Sequence, residues 1–343
     1  MYSIKDRKIQ HLDIAKYQFE KETEHNSLDT VILPYCALPE IDFETIDLSV
    51  NFLNKRISFP VMISGMTGGT ERSNNINKAL VELAEEHNIA MGIGSQRASL
   101  ETKNSQKYLR KIAKNIPLIG NIGGVQLASS SGMDLIKRAI DDIEADAIAI
   151  HLNPLQEIVQ PEGDHDWRGV LNGISEVVKT LPCPVIVKEV GRGLSKEVIK
   201  NLFNVGVKIF DVAGMGGTNW TKIETSRRVF KEQSIYQPFH DIGIPLKKLI
   251  IDASSISKDN TIIGSGGIKN GLDAAKAIWL GSDLVSMAGV LLKSLEDTNH
   301  KIDKKNLDNL LKNLKTQIKI SLFITGSKNI NEFKDKSNYG EIK

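Results

Sequence analysis

The sequence predicts an α/β fold, a closed (β/α)8 TIM barrel with an N-terminal extension, and three observations predict it. Eight short runs, nearly all apolar and rich in β-branched residues, recur along the chain. Most are followed by a stretch of helical period, and each ends in glycines or polar side chains. Apolar runs of this kind suit parallel strands buried on both faces, and eight strand-helix units favour a closed barrel over an open sheet.

In chain order, residues 1–60 form the extension and residues 61–326 the barrel. The first strand is "VMISG" at Val61, and a polar helix is expected over Glu71–His87. Further strands begin with "IAMGIG" at Ile89, "PLIGNIG" at Pro117, "AIAIHL" at Ala147, "VIVKEV" at Val185, "KIFDVAG" at Lys208, "TIIGSGG" at Thr261 and "LVSMAG" at Leu284. Residues 239–260 lengthen the crossover before the seventh strand. Residues 327–343, ending in the charged "NEFKDKSNYGEIK", are expected to be a mobile tail.

Bulk properties narrow the function classes. The 343 residues are 41% hydrophobic and 25% charged, enough for a sizeable core. With 44 basic and 42 acidic residues the net charge is +2, so neither nucleic acid nor an anionic membrane is implied as a partner. Cys36 and Cys183 make no metal-ligand spacing, and the opening "MYSIKDRKIQ" lacks the apolar core of a secretory signal. No apolar stretch approaches the roughly 20 residues of a membrane-spanning helix. The expectation is a cytoplasmic protein with reduced thiols.

Residues at the carboxyl ends of barrel strands face the active site, so function is read from "GMTGG", "GSQR", "GNIGG", "HLNPLQE", "KEVG", "DVAGMGGTNW", "GSGGIKNG" and "MAG". The last two strand ends are where barrels often hold a phosphate. Glycines there let backbone N–H groups approach its oxygens, although Gly264, Gly266 and Gly267 could also simply make a tight turn. Lys188, inside an apolar strand, needs a polar or anionic partner: either a bound cofactor or an internal carboxylate. Glu189 is a poor candidate, since adjacent strand residues point to opposite faces. In "DVAGMGGTNW", Thr218 and Trp220 could cover a flat ligand, or Trp220 could be core. On a helix Arg7 and His11 share a face, with Lys8 beside them; this is a solvated turn unless a second anion binds there.

Together these pieces resemble the flavin-dependent type 2 isopentenyl diphosphate isomerases, which are (β/α)8 barrels. The resemblance covers nearly the whole chain, through "RKIQH" at Arg7, "GMTGG" at Gly65, "GSQR" at Gly94, "GNIGG" at Gly120, "HLNPLQE" at His151, "VKEVG" at Val187, "GGTNW" at Gly216 and "GSGGI" at Gly264. Each motif alone is weak. Eight in the family's order are highly specific, and "HLNPLQE" is the most diagnostic.

The resemblance implies interconversion of isopentenyl and dimethylallyl diphosphates with FMN and Mg2+, the flavin being reduced commonly by NADPH. It implies FMN contacts from Gly65, Met66, Thr67, Ser95, Asn121, Lys188 and Thr218, with the FMN phosphate against Gly267, Ile268, Lys269, Ala288 and Gly289. It further implies that Arg7 and Lys8 grip the substrate diphosphate with His11 and Arg97. His151 and Asn153 would line the substrate site, Gln156 would touch the substrate, and Glu157 would hold Mg2+. Family members commonly form tetramers or octamers, and some run further beyond "LFITGS" than this chain does.

The chemistry explains why "HLNPLQE" is so polar. Moving a double bond along an allylic chain adds one proton and removes another without net oxidation, and an alkene is a poor base. An acid must therefore be held close and dry, and the electron-poor transition state must meet electron-rich groups. Carboxamides at Asn153 and Gln156 can orient without titrating, so the stretch positions while the cofactor reacts. In isolation His151 could be a satisfied core histidine, with Pro154 and Glu157 merely opening a helix. The company of the other strand ends favours the functional reading.

One departure stands out: Ala213 occupies a position where many members carry a hydroxyl, from which weaker FMN affinity is expected. Two other classes compete. An FMN-dependent 2-hydroxy acid oxidase would share the phosphate loops but needs a strand-end histidine that "AGMGGTNW" lacks. A flavin-binding sensor would not need the cations at Arg7 and Lys8.

Overall fold

The computed structural model describes residues 4–21, 26–102, 104–297 and 299–337. A two-stranded antiparallel hairpin, β1 (Val50–Phe52) and β2 (Lys55–Ile57), precedes eight parallel strands. These are β3 (Val61–Ile63), β4 (Ala90–Gly92), β5 (Leu118–Gly123), β6 (Ala147–His151), β7 (Val185–Lys188), β8 (Ile209–Asp211), β9 (Thr261–Ser265) and β10 (Leu284–Met287). They pair in sequence order, and β10 closes on β3, which is the expected barrel with each strand where its apolar run lies.

The period-two alternation of strands divides the core in two. Outward positions such as Ile148, Val187, Phe210 and Val285 pack beneath the surrounding helices. Inward positions Met62, Ala90, Ile119, Ala147, Ile186, Ile263 and Leu284 form a separate cluster inside the barrel. Two residues further along the same face the character changes: Ile119 is followed by Asn121, Ala149 by His151, Ile186 by Lys188, Ile209 by Asp211, Ile263 by Ser265 and Leu284 by Ser286. The interior is thus apolar at the amino end and polar at the carboxyl end.

The extension serves both mouths. Phe52 and Ile57 of the hairpin, with Leu53 at its turn, pack against the inward residues at the strand starts and plug the amino end. At the other end lies helix α1 (Ile4–Lys21), packed on the helices Trp220–Arg227 and Gly289–Leu295 that follow β8 and β10.

Two boundaries differ from expectation. The lengthened crossover before β9 begins at Trp220, because Asn219 caps a helix there by accepting from Lys222 N, and a second helix, Phe230–Tyr236, follows. Part of the expected mobile tail is a packed helix, Ile330–Ser337. Its Phe333 is fully buried, edge-on to Trp279 with ring centroids 5.0 Å apart, so apolar burial outweighs the charged composition of that segment. Residues 338–343 lie outside the described residues.

Candidate active site

The carboxyl-end loops and α1 enclose one deep cleft. Its lining includes Arg7, Lys8, His11, Arg97, His151, Asn153, Gln156 and Glu157, and also Gly65, Met66, Thr67, Ser95, Asn121, Lys188, Thr218, Gly267, Ile268, Ala288 and Gly289. Of the site residues the family resemblance implies, Lys269 alone falls outside that lining, its backbone N–H bound to the Asp273 carboxylate at 2.9 Å within the loop; Gly264, also considered for the phosphate, lies outside it as well.

Strand register builds the floor. His151 on β6 pairs with Lys188 on β7, and Lys188 with Asp211 on β8, so three ionisable side chains stand in one row. Asn121 on β5 donates its amide to Ile93 O at 2.9 Å, which turns its oxygen toward His151 Nδ1 at 2.8 Å. The His151 proton is therefore on Nδ1 and the Nε2 lone pair is left over. Burial, reinforced by the charges of Lys188 and Lys8, lowers the His151 pKa to about 3, so the ring is neutral. Lys188 Nζ donates to the backbone carbonyl of Glu189 at 2.7 Å. The Glu189 carboxylate is turned away, accepting the N–H groups of Val190 (2.7 Å), Gly191 (2.6 Å) and Gly193 (3.0 Å).

The roof is cationic. Burial and the neighbouring Arg7 push the Lys8 pKa down to about 8 against the pull of Glu224. His11 Nε2 lies 2.8 Å from Glu224 Oε1 and its ring meets Trp220 edge-on at 5.1 Å. Burial lowers the His11 pKa despite that carboxylate. Arg7 Nε is buried without a partner, a donor ready for an anion.

Glu224, which sequence reading missed, organises this end. It is fully buried, and Arg227 Nη1 lies 2.5 Å from Oε2 while Gln156 donates to Oε1 at 3.3 Å. Gln160, with its amide nitrogen toward Glu224 Oε1 (3.2 Å), turns its oxygen to Arg7 Nη1 (3.1 Å). Burial alone would raise the Glu224 carboxyl, but His11 and Arg227 together hold it below the usual carboxylate range. No motif marks Glu224; it stands on the Trp220–Arg227 helix, and only its i, i+3 spacing to Arg227 hints at a pair.

Asn153 donates to Gln156 Oε1 and Glu157 Oε1, both at 3.0 Å, and Glu157 Oε2 accepts from Asp164 N at 2.8 Å. Each carboxylate oxygen keeps a free lone pair. Among the described residues no group of three or more His, Cys, Asp and Glu could hold a metal ion. A divalent ion at Glu157 would therefore draw its remaining ligands from a phosphorylated substrate and water, a common habit of Mg2+. Arg97 sits at the rim between Glu101 (3.0 Å) and Asp164 (3.1 Å).

Glycines at the strand ends serve first to let loops touch. A Cβ on Gly65 would lie 2.0 Å from Ile93 O, and one on Gly266, at φ +105°, would lie 1.9 Å from Gly214 O. This close backbone packing leaves room above for a flat ligand. The lining offers such a ligand the Lys188 cation and the Ser286 hydroxyl, which is buried with no partner. The residues present fit FMN: Lys188 and neutral donors would serve its ring, and the glycine-rich β9 and β10 loops would serve its phosphate. Ala213 lines the cleft in the left-handed region, φ 41°.

Comparison with known proteins gives the family and the fold. The FMN-dependent dehydrogenase family matches residues 156–339. The isopentenyl-diphosphate delta-isomerase of Pseudescherichia vulneris is 42% identical over 334 residues, covering 96% of this chain and 94% of that one. The chain belongs to the isopentenyl-diphosphate delta-isomerase family. A second member of that isomerase family, from Ignicoccus hospitalis, is 41% identical over 329 residues, covering 94% of this chain and 90% of its own. Among solved structures, a mandelate oxidase variant with an FMN adduct superposes with a TM-score of 0.66 at 13% identity, covering 95% of this chain and 90% of that one. At that identity the likeness is one of fold alone. Oxidase and isomerase thus share the barrel, and a shared fold does not fix the reaction.

Proposed function

We propose that this chain interconverts isopentenyl and dimethylallyl diphosphate on reduced FMN, with Mg2+ at Glu157 and NADPH as the reductant. The observation that carries the reading is a cleft with a cation at each end of its path, Lys188 on the floor and the Arg7–Lys8 pair on the roof, with neutral polar groups between. Bound FMN supplies the acid and the electron density that the alkene requires.

The chain's own residues supply position and dryness. Arg7, Lys8 and Arg97 would meet the diphosphate, and Glu157 would hold the Mg2+ that offsets its remaining charge. Gln156, held between Asn153 and Glu224, and neutral His151, held by Asn121, border the alkene without placing a positive charge beside a carbon that becomes electron-poor. Met66 and Trp220 line the same space and exclude water. A lysine or protonated histidine in place of His151 would oppose that charge.

The reading includes a cytoplasmic location and a tetramer or octamer. Among the described residues no helix is long and apolar enough to cross a membrane. Exposed Ile32, Tyr35, Leu38 and Phe230 offer apolar surface for assembly.

The test is anaerobic incubation of the reduced protein with isopentenyl diphosphate and Mg2+ in deuterated water. Deuterium in both isomers is expected. Bleaching of oxidised flavin by a 2-hydroxy acid would support an oxidase instead, and a spectral change without product would support a sensor.

A further inference from the structure

Four strands place His151, Lys188, Asp211 and Ser265 around one patch of the barrel interior, and two of them, Asp211 and Ser265, have no part in the reading above. Asp211 is completely buried. Its Oδ1 accepts from the Ser265 hydroxyl, the backbone N–H of Ala213 also favours the carboxylate, and its Oδ2 is buried without a hydrogen-bond partner. A carboxylate left half-satisfied inside a barrel needs a reason.

The neighbours narrow it. His151 is neutral and spends its proton on Asn121, so it offers Asp211 no charge. The Glu189 carboxylate is committed to the turn after β7. That leaves Lys188, the strand partner of Asp211, as the cation facing it, and Asp211 as the carboxylate in the same row as Lys188. Lys188 needs a counter-charge, because burying an ammonium group in an apolar strand is costly. Burial pushes the Asp211 carboxyl up, and the charge of Lys188 draws it partly back.

We propose that Asp211 is a positioning residue: through Lys188 it balances the charge beneath the FMN ring and so sets the potential of the bound flavin. The inference rests on the FMN reading. Reduced flavin carries more negative charge than oxidised flavin, so a Lys188 ammonium stripped of its counter-charge would favour the reduced form.

The experiment is a dye-referenced reductive titration of bound FMN in the wild-type chain, Asp211→Asn, Lys188→Met and the double variant. Asp211→Asn keeps the shape and an acceptor for Ser265. Its flavin midpoint potential should rise above wild type, and the same substitution made in Lys188→Met should produce no rise. An unchanged potential in Asp211→Asn, or an equal rise without Lys188, overturns the proposal. Should Asp211→Asn fail to fold, Ser265→Ala removes only the hydroxyl that holds Oδ1 and should raise the potential by a smaller step; no step overturns it equally. A wild-type chain that stays colourless with added FMN overturns the functional reading itself, an outcome distinct from bound flavin at an unmoved potential.

Discussion

Lys8 shows how one side chain can make the roof of the cleft a titratable device. Its amine is pushed down to about 8 by burial and by Arg7, so the cation proposed to meet the diphosphate is mostly present at pH 7 and mostly lost by pH 9. Because kcat/KM reports the free enzyme, it should fall as pH rises through about 8. Lys8→Arg, whose guanidinium stays charged, should hold kcat/KM level to higher pH. An identical fall in the arginine variant would place the titrating group elsewhere. Residues on this scale were unevenly legible. His151, Asn153, Gln156 and Glu157 announced themselves because "HLNPLQE" is too polar to end an apolar strand without cause. Glu224 and Asp211 did not: one lies within an ordinary polar helix and the other ends a strand in a single acid, and apart from Arg227 beside Glu224 their meaning comes from distant neighbours, His11 and Gln156 for Glu224 and Lys188 and Ser265 for Asp211.

At the scale of elements, helix α1 is the part most easily disturbed. Three ties fix it. Arg72 Nη1 reaches Asp13 at 2.6 Å while its other nitrogens clasp Glu296 at 2.9 and 2.7 Å; Lys16 donates to the backbone of Asp297; and Gln18 exchanges two hydrogen bonds of 3.2 Å with the Asn219 backbone. The Gln18 pair is buried and needs both partners, so Gln18→Ala should cost about 1–3 kcal/mol in local docking free energy. Since α1 brings Arg7 and Lys8 but none of the anticipated flavin contacts, KM for isopentenyl diphosphate should rise several-fold while FMN affinity holds. Faster amide exchange across α1 should accompany it, and an equal loss of flavin would contradict the separation. The sequence marked the cations of α1 but not its docking, because the groups that hold it, Arg72, Asn219 and Glu296, come from three distant loops and helices. The barrel strands were legible for the opposite reason: each is a local apolar run whose pairing follows from chain order.

The whole molecule is polarised along the barrel axis, chemistry at the carboxyl end and closure at the amino end, and this makes a further prediction about the carboxyl-terminal helix Ile330–Ser337. Its charged sequence suggested a tail, since composition weighs nine polar or charged residues in "NEFKDKSNYGEIK" more heavily than one well-placed phenylalanine. Phe333 nevertheless fills a site against Trp279, and Lys334 pairs with Asp283, whose other oxygen accepts Ile262 N at 2.7 Å. Ile262 and Asp283 lie at the starts of β9 and β10, the end of the barrel away from the cleft. Phe333→Ala empties that site and should lower unfolding free energy by about 3–5 kcal/mol, read from urea denaturation of wild type and variant. Because this tie lies at the starts of β9 and β10, away from the cleft, kcat and KM for isopentenyl diphosphate should stay within experimental scatter at temperatures where the variant is folded. A variant as stable as wild type would show that the helix contributes nothing to the barrel; a stable variant with altered KM would show that the two ends are mechanically coupled, contrary to the division of labour drawn from the inward-facing residues.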